Sequence, residues 1–324
     1  MLTAVILNDT RYNVGHIGCQ VVMQNLFELL LQNDIRVSTS FSPKQLRRRP
    51  ALARGAIDRA DAIIINGEGT FHDSRPACIA LLESAEYAKR QGVPVYLVNA
   101  LWQNNRQIES YLESIERIYT RDTRSARELA GCHPHVEMVP DLSFALSTVS
   151  LQTSWCEGGR PLVVDSVYRD RALNLAEYAR RRNLQFKHMG IAYPHKTVLK
   201  HVVRPAYVGR LLSLSDIARA EYIITGRFHA ITLACCFGVP FISVPSNSHK
   251  IEALLEDMGL GEETYLCQPD RINEIDVHVE KVRAAWLDGD GLNVEAFVKE
   301  SDRKIKRMFQ SIRADLAERF ALGS

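Results

Sequence analysis

Residues 222–244 read YIITGRFHAITLACCFGVPFISV. The apolar runs Tyr222–Thr225 and Phe241–Val244 have the length of buried strands, and Ala230–Phe237 between them is predicted as a helix. A strand, a helix and a strand in this order form a βαβ unit, whose two strands run parallel. This segment therefore predicts an α/β fold built around a parallel sheet.

The same alternation of short apolar runs and helical patterns extends through two series. The first has strands and helices at Ala4–Leu7, Gln20–Gln32, Ile35–Thr39, Ala62–Ile65, Cys78–Gln91, Val95–Val98, Ile118–Thr120, Arg124–Ala130 and Val136–Val139. After Pro140 the pattern loosens, which predicts a linker through Ser147–Ser154 and Gly158-Gly159. The second series comprises Leu162–Asp165, Ala172–Arg182, Gln185–His188, the βαβ segment above and Lys250–Met258. We therefore predict two facing Rossmann-like domains, at residues 1–150 and 160–292, with the active site in the cleft between them.

The last predicted element is an amphipathic helix at residues 293–324. One interpretation packs its apolar stripe on the body of the protein, and the fold prediction adopts it. The other lays the mildly basic polar face on the inner face of a membrane, as a peripheral contact. The stripe comprises Ile305, Met308, Phe309, Ile312, Leu316 and Phe320, at three- and four-residue spacing.

Composition narrows the class of protein. The 324 residues carry a formal net charge of +2, whereas nucleic-acid binders usually carry a large basic excess, so no nucleic-acid partner is expected. The seven cysteines include no CxxC pair, so we expect reduced thiols and no metal site. The N-terminal apolar run is interpreted as a strand, not a signal peptide, and no apolar stretch reaches the roughly 20 residues of a membrane span. The expected location is the cytoplasm.

The strongest candidate site follows the strand Tyr222–Thr225. Ligands of open parallel sheets bind beyond the carboxyl ends of the strands. Arg227 and His229 lie there at a helix start, where a guanidinium, an imidazole and free backbone N–H groups can hold a phosphate or carboxylate. The loop after the next strand reaches the same rim if the two strands are neighbours. It contributes Ser246, Asn247 and Lys250 as further donor-binding candidates.

The first domain adds candidates at its own strand ends. Arg121 either closes the site from across the cleft or, with Asp122, caps the helix that follows. Glycines at 67 and 69 are expected to adopt positive φ close to a ligand, and Asp73 or Ser74 is expected to cap the next helix. The predicted acceptor or loop residues are Asn13, His16, Gly67, Gly69 and Asp73.

Four segments resemble motifs of the polysaccharide pyruvyl transferase family, in order along residues 8–260. NGEGTFHD at 66–73 resembles its glycine-rich GGGxLFxD stretch, RDTRS at 121–125 its RDxxS segment, and PDLSFAL at 140–146 its PDxxFxL segment. Arg227-Phe228-His229-Ala230, followed by Gly238-Val239-Pro240 and Lys250, resembles its RxHA…GxP…K signature, which is the most specific match. The resemblance implies a two-domain, glycosyltransferase-like (GT-B-like) fold.

For characterised members, the resemblance implies transfer of pyruvate from phosphoenolpyruvate to a sugar as a ketal, a reaction of bacterial surface glycan biosynthesis. Carried over by position, Arg121, Arg227, His229 and Lys250 match the basic residues implicated there, and a donor with a phosphate and a carboxylate needs such cations. His229 is the candidate for proton transfer to the methylene carbon, since imidazole titrates near neutral pH. Phosphoenolpyruvate is a substrate, so no cofactor is expected.

Two positions depart from the family pattern. His16 follows Asn13-Val14-Gly15 where the family often has NxGD, and Glu68 replaces a usual glycine, which adds a candidate general base. The acceptor sugar therefore stays open. The predicted partners are a small-molecule donor and a glycan acceptor, lipid-linked or free.

Two other functions fit the same fold. A glycosyltransferase using a nucleotide-activated sugar, such as a CMP-linked ulosonic acid, would place Arg227 and His229 on the nucleotide phosphate and use Glu68 or Asp73 as its base. A non-catalytic glycan- or nucleotide-binding protein is the third hypothesis. The retained set of basic residues argues against a decayed site.

Overall fold

The computed structural model describes residues 1–12, 16–146, 158–190 and 211–322. Asn13 and the predicted linker up to Ser154 lie outside the described residues. The chain divides into two compact units. The first comprises Met1–Tyr12, Val22–Ala145 and Ser301–Ser324, and the second comprises Asn13–Val21 and Leu146–Glu300.

The first unit is built on a six-stranded sheet in the order β2-β1-β3-β4-β5-β6, with every pair parallel. All six predicted strands are confirmed. Two of them, β3 and β4, are buried at every position, which is why they read as continuous apolar runs. The strands are β1 (Leu2–Leu7), β2 (Ile35–Phe41), β3 (Ala62–Glu68), β4 (Val95–Ala100), β5 (Arg117–Thr120) and β6 (Val136–Met138).

The helices of this unit include two that the sequence analysis did not predict. Both are short, and both begin with a proline at the first helical position, where its missing N–H costs nothing. The first is further held by a capping box between Ser42 and Gln45. The helices are α1 (Ile17–Gln32), whose first residues group with the second unit, α2 (Pro43–Arg48), α3 (Pro50–Ile57), α4 (Pro76–Arg90) and α5 (Thr123–Leu129), with 3-10 turns at Arg106–Ser114 and Leu142–Phe144.

The second unit has a four-stranded parallel sheet in the order β10-β9-β7-β8. The βαβ segment is confirmed as β9, α8 and β10, and all nine residues of α8 are buried. The α/β class with two parallel sheets is therefore confirmed. The elements are β7 (Arg160–Ser166), α6 (Arg169–Arg181), β8 (Gln185–Lys187), α7 (Leu214–Ala218), β9 (Ala220–Gly226), α8 (Phe228–Cys236), β10 (Phe241–Ser243), α9 (Lys250–Met258), α10 (Glu262–Tyr265) and α11 (Ile275–Ala285), with a 3-10 turn at Pro269–Glu274.

The C-terminal helix α12 (Gly291–Leu322) packs back on the body of the first unit, as predicted. Its apolar stripe is buried from Ile305 to Leu316, but Phe320, which was assigned to the stripe, is 46% exposed. Two ion pairs join the helix to strand β5 and the residue before it: Arg117 with Asp315, and Glu116 with Arg319. Within the described ranges, no helix combines the length and the apolar character needed to cross a membrane.

Candidate active site

The turn between β9 and α8 is held by short-range contacts. Thr225 Oγ1 accepts a hydrogen bond from the Arg227 N–H at 3.0 Å, and Arg227 is the N-cap residue of α8 in an extended conformation. Gly226 packs so closely on β7 that an added Cβ would lie 2.4 Å from Ser166 Oγ. This turn therefore fixes Arg227 and His229 at the carboxyl edge of the second sheet.

Arg227 forms a buried ion pair that the sequence analysis did not predict. Its Nε and Nη2 donate to Asp165 Oδ1 and Oδ2 at 2.9 and 2.7 Å, and Asp165 Oδ1 also accepts the Met189 N–H at 3.0 Å. Burial alone would raise the pKa of Asp165, but hydrogen bonds from His188 and Arg227 hold that pKa below its usual value. Asp165 is therefore a carboxylate at neutral pH, and it balances the charge of the arginine that was predicted to bind the donor.

The side chain of His229 lies against the start of helix α1. A Cβ added to Gly18 would lie 2.2 Å from His229 Cβ, so only a glycine fits there. The His16 and His229 rings meet edge to face with centroids 5.6 Å apart. The sequence analysis assigned His16 to an acceptor side in the first domain, whereas the structure places it beside His229 in the second unit.

His16 is a neutral base in this environment. Burial, together with the positive charges of His229 and Arg227, lowers the pKa of His16 to about 3. Its Nδ1 accepts the Cys19 N–H at 3.2 Å, which places the ring proton on Nε2. His16, Cys19 and His229 present ligand atoms that all lie within 4.8 Å of one another.

Lys250 lies on the same edge of the second sheet as the β9–α8 turn. Strand β10 pairs in parallel with β9, with Ser243 opposite Thr225, so the expected neighbour relationship of the two strands is confirmed. Lys250 begins α9 and its Nζ donates to Asn247 Oδ1 at 2.6 Å. Ser246 Oγ lies 3.4 Å from the same oxygen. The three donor-binding candidates of this loop therefore form one local cluster.

The glycine-rich stretch at the end of β3 differs from the prediction in its backbone conformation. Neither Gly67 nor Gly69 has a positive φ; the residue that does is Glu68, at 43°. Gly67 is required for another reason, because an added Cβ would lie 2.5 Å from Ala100 Cα on the neighbouring strand, while Gly69 faces open space. A positive φ costs a residue with a Cβ about 1–2 kcal/mol, which explains why a glycine suits position 68.

Asp73 does not cap the following helix. Asp73 and Ser74 have positive φ values of 55° and 46°, and the N-cap of α4 is Arg75. Hydrogen bonds from His72 and Asn104 lower the pKa of the exposed Asp73 carboxyl. Asp73 is therefore a weaker base than an ordinary aspartate.

The RDxxS-like and PDxxFxL-like segments meet inside the first unit. Arg121 Nη1 lies 3.1 Å from Asp141 Oδ2, and both side chains are almost fully buried. Asp122 caps α5 through the N–H of Ser125, and its other oxygen accepts the Ser125 hydroxyl. Of the two expectations for this segment, the structure shows the helix cap, and it gives Arg121 a buried carboxylate partner.

A buried network of asparagine amides also lies at the carboxyl edge of the first sheet. Asn8 Nδ2 donates to the Asn66 carbonyl at 2.6 Å, and Asn99 Nδ2 donates to Asn66 Oδ1 at 3.2 Å. Asn66 Nδ2 in turn donates to Glu68 Oε2 at 3.2 Å, which orients that carboxylate. The sequence analysis missed this network, although each asparagine ends or follows an apolar strand.

Solved structures share this architecture over almost the whole chain. The chain is similar to S. aureus MnaA in complex with UDP, at a TM-score of 0.60 and 12% identity over 98% of this chain and 97% of that one. It is also similar to Arabidopsis thaliana UGT89C1 complexed with quercetin, at a TM-score of 0.59 and 8% identity over 97% and 99% of the two chains. At these identities the similarity shows the fold alone, a GT-B-like pair of Rossmann-type sheets.

The family follows from the sequence. The family model for polysaccharide pyruvyl transferase matches residues 16–248. The chain belongs to the polysaccharide pyruvyl transferase family. A comparison with curated proteins finds no match.

Proposed function

We propose that this protein transfers pyruvate from phosphoenolpyruvate to a sugar as a ketal, in the synthesis of a bacterial surface glycan. The strongest support for this proposal is the β9–α8 turn, in a chain that belongs to the polysaccharide pyruvyl transferase family. The turn holds His229 at the start of a buried helix, beside an arginine fixed by Asp165. The partial positive charge of that helix terminus favours a bound anion.

The reaction needs one proton donor and no redox step. One sugar hydroxyl oxygen bonds to C2 of phosphoenolpyruvate while the methylene carbon accepts a proton, which we assign to the His229 imidazolium. A second hydroxyl oxygen then bonds to C2, the bond from C2 to the phosphate oxygen breaks, and the second hydroxyl proton leaves with inorganic phosphate. The first hydroxyl proton passes to a general base.

Donor binding is divided between two groups in this proposal. Lys250 supplies a positive charge held at a defined place by Asn247. The Asp165 pair engages two of the five guanidinium N–H donors of Arg227, and we assign the others to the donor carboxylate. In this proposal Arg227 orients the donor through its N–H groups, because Asp165 balances its positive charge.

The test is turnover with phosphoenolpyruvate and a panel of free, nucleotide-linked and lipid-linked sugars. Product is detected as released phosphate and as the mass increase of a pyruvate ketal on the acceptor. His229→Asn should lower kcat by about 10²–10⁴-fold, the usual contribution of a general acid. The matched control is His135→Asn, since His135 is exposed and lies in the first unit. Undiminished turnover in His229→Asn would refute the assigned role.

A second candidate, a glycosyltransferase using a nucleotide-activated sugar, is favoured by one observation: S. aureus MnaA shares this fold and its structure contains UDP. Thermal shift with phosphoenolpyruvate, CMP, UDP and GDP separates the two. A ligand at 100 times its Kd stabilises the folded state by about 2.7 kcal/mol. A shift with phosphoenolpyruvate alone supports pyruvyl transfer, and a shift confined to one nucleotide replaces it with glycosyl transfer from that nucleotide.

A further inference from the structure

Two imidazoles and a thiol come together where helix α1 begins in the second unit. His16 precedes the helix, Cys19 lies in its first turn, and His229 lies in the first turn of α8. Their ligand atoms lie within 4.8 Å of one another. We propose that His16, Cys19 and His229 bind one Zn²⁺ ion. This inference goes beyond the proposed function, because it concerns metal binding, which is measured without turnover.

The backbone brings these three residues together. His16 and Cys19 are three apart at the helix start, a spacing that places both side chains on one face. Gly18 allows His229 to approach to a distance that no other residue permits. Behind His16, Gly190 approaches so closely that an added Cβ would lie 3.2 Å from the His16 Cα. The cluster therefore depends on close backbone packing on two sides, and not only on side-chain rotamers.

The donor set and its spacing suit zinc. Zn²⁺ binds imidazole nitrogen and thiolate sulfur at about 2.0–2.3 Å, so tetrahedral ligand atoms lie roughly 3.3–3.8 Å apart. Ligand atoms that lie up to 4.8 Å apart must approach by about 1–1.5 Å to reach that range. Three protein ligands with an open fourth position are the arrangement of catalytic zinc sites. A thiolate ligand also disfavours Mg²⁺ and Ca²⁺, which prefer oxygen.

Burial and the helix dipole favour the same ion. Cys19 and His229 are buried, which limits competition by water. At His16 the ion would take the Nδ1 lone pair that otherwise accepts the Cys19 N–H at 3.2 Å, while Nε2 keeps its proton. A Cys19 thiolate at the start of α1 lies at the positive end of the helix dipole. No metal was expected from the sequence because no cysteines are paired, and the proposed site uses a different pattern, the HxxC spacing at residues 16–19.

Zinc and proton transfer exclude each other at His229. An ion that takes the imidazole lone pair leaves no site for the proton that the proposed reaction moves. We therefore expect added Zn²⁺ to lower pyruvyl transfer, if that reaction is the function. Zinc binding itself does not depend on that outcome.

The first experiment measures affinity on the full chain. Protein freed of metal by a chelator is titrated with Zn²⁺ against a chromogenic competitor, and one ion per chain is expected. Loss of a residue that only orients a metal ligand lowers metal affinity by about 10–100-fold. Cys19→Ser and His16→Asn remove ligands themselves, so each should lower zinc affinity by more than about 100-fold. Cys132→Ser is the matched control, because Cys132 is an exposed thiol in the first unit. Unchanged affinity in Cys19→Ser would overturn the proposal.

The second experiment uses the wild-type chain, so its result does not depend on whether a variant folds. Co²⁺ bound to the wild-type chain should give the thiolate-to-cobalt charge-transfer band and the intense visible bands of a tetrahedral site. The near-ultraviolet band should persist in Cys132→Ser. A wild-type spectrum without thiolate ligation refutes the site. Turnover of the zinc-free chain is assayed separately, so a missing pyruvyl transferase activity and a missing zinc site are distinguishable results.

Discussion

Gly18→Ala tests the close approach of α1 to His229. In most exposed helix positions an alanine is better than a glycine by about 0.5–1 kcal/mol, because it restricts the unfolded chain. At position 18 the new Cβ would lie 2.2, 2.4 and 2.7 Å from His229 Cβ, Cγ and Nδ1. Favourable contact between carbon atoms lies at about 3.5–4.0 Å, so the two groups must separate by more than about 1 Å.

The magnitude follows from which atoms can move. Rotation of the His229 ring displaces Cγ and Nδ1 but not Cβ, which is bonded to the backbone, so α1 or α8 itself must shift. Overpacking of this kind costs about 1–3 kcal/mol. Subtracting the helix gain of up to about 1 kcal/mol leaves a net loss of roughly 0–2 kcal/mol in the free energy of unfolding. Because the shift moves His229, turnover should fall even where stability is nearly unchanged.

Gly55→Ala is the matched control, since Gly55 lies inside helix α3 and the nearest atom to its added Cβ is an arginine nitrogen at 3.6 Å. This variant should be more stable than wild type by about 0.5–1 kcal/mol. Urea unfolding followed by circular dichroism compares the two. The reasoning is refuted if Gly18→Ala is stabilised as much as Gly55→Ala and keeps full activity.

Three further predictions concern contacts at the edges of the two sheets. Asp165→Asn should lower the free energy of unfolding by about 3–5 kcal/mol at neutral pH, because it leaves a buried arginine without its counter-charge. The folded-state pKa of Asp165 is depressed. This stabilisation is therefore complete above the unfolded-state pKa of about 3.9 and is lost as the pH falls through the folded-state pKa. A difference in urea unfolding between wild type and variant that stays constant into acid would contradict the prediction. Gly67→Ala should lower the free energy of unfolding by about 1–3 kcal/mol, because the added Cβ collides with β4. Gly69→Ala faces open space and should change that free energy by less than about 0.5 kcal/mol. Equal effects of the two variants in thermal unfolding would be evidence against this packing. Asp315→Asn should cost only about 0.2–1 kcal/mol, because its pair with Arg117 is partly exposed, and the effect on Tm should shrink in high salt.

The strands and most helices could be predicted because the local sequence encodes them. Strands of a parallel sheet are covered on both faces, so each reads as a short apolar run, and β3 is buried from end to end. The bounds of α9, Lys250–Met258, were predicted without error. Helices α2 and α3 were missed because they are only six and eight residues long and their segment is strongly basic, so few apolar residues mark them. Their starts depend instead on prolines and on a capping box.

The site was predicted only in part, for a different physical reason. Strand ends are visible in sequence, so Arg227, His229 and Lys250 could be assigned to one sheet edge once their strands were identified. The partner of an ion pair is not visible in this way. Asp165 lies 62 residues before Arg227, and no spacing rule connects them. His16 was likewise assigned by its position in the chain, although the start of α1 groups with the second unit.

In the proposed donor site, the pairing of Arg227 with Asp165 determines how an anion can be held. A buried guanidinium without a counter-ion is strongly unfavourable, so Asp165 permits Arg227 to occupy the edge of the sheet, but it also cancels the charge. Arg227 can then act through the direction of its N–H groups, which reads a planar carboxylate by geometry, and Asp165 repels a second anion placed nearby. The proposal therefore assigns the positive charge that a phosphate requires to Lys250. Under the two proposals, a proton on His229 can be passed to the methylene carbon and a zinc ion cannot, so zinc bound there would inhibit pyruvyl transfer.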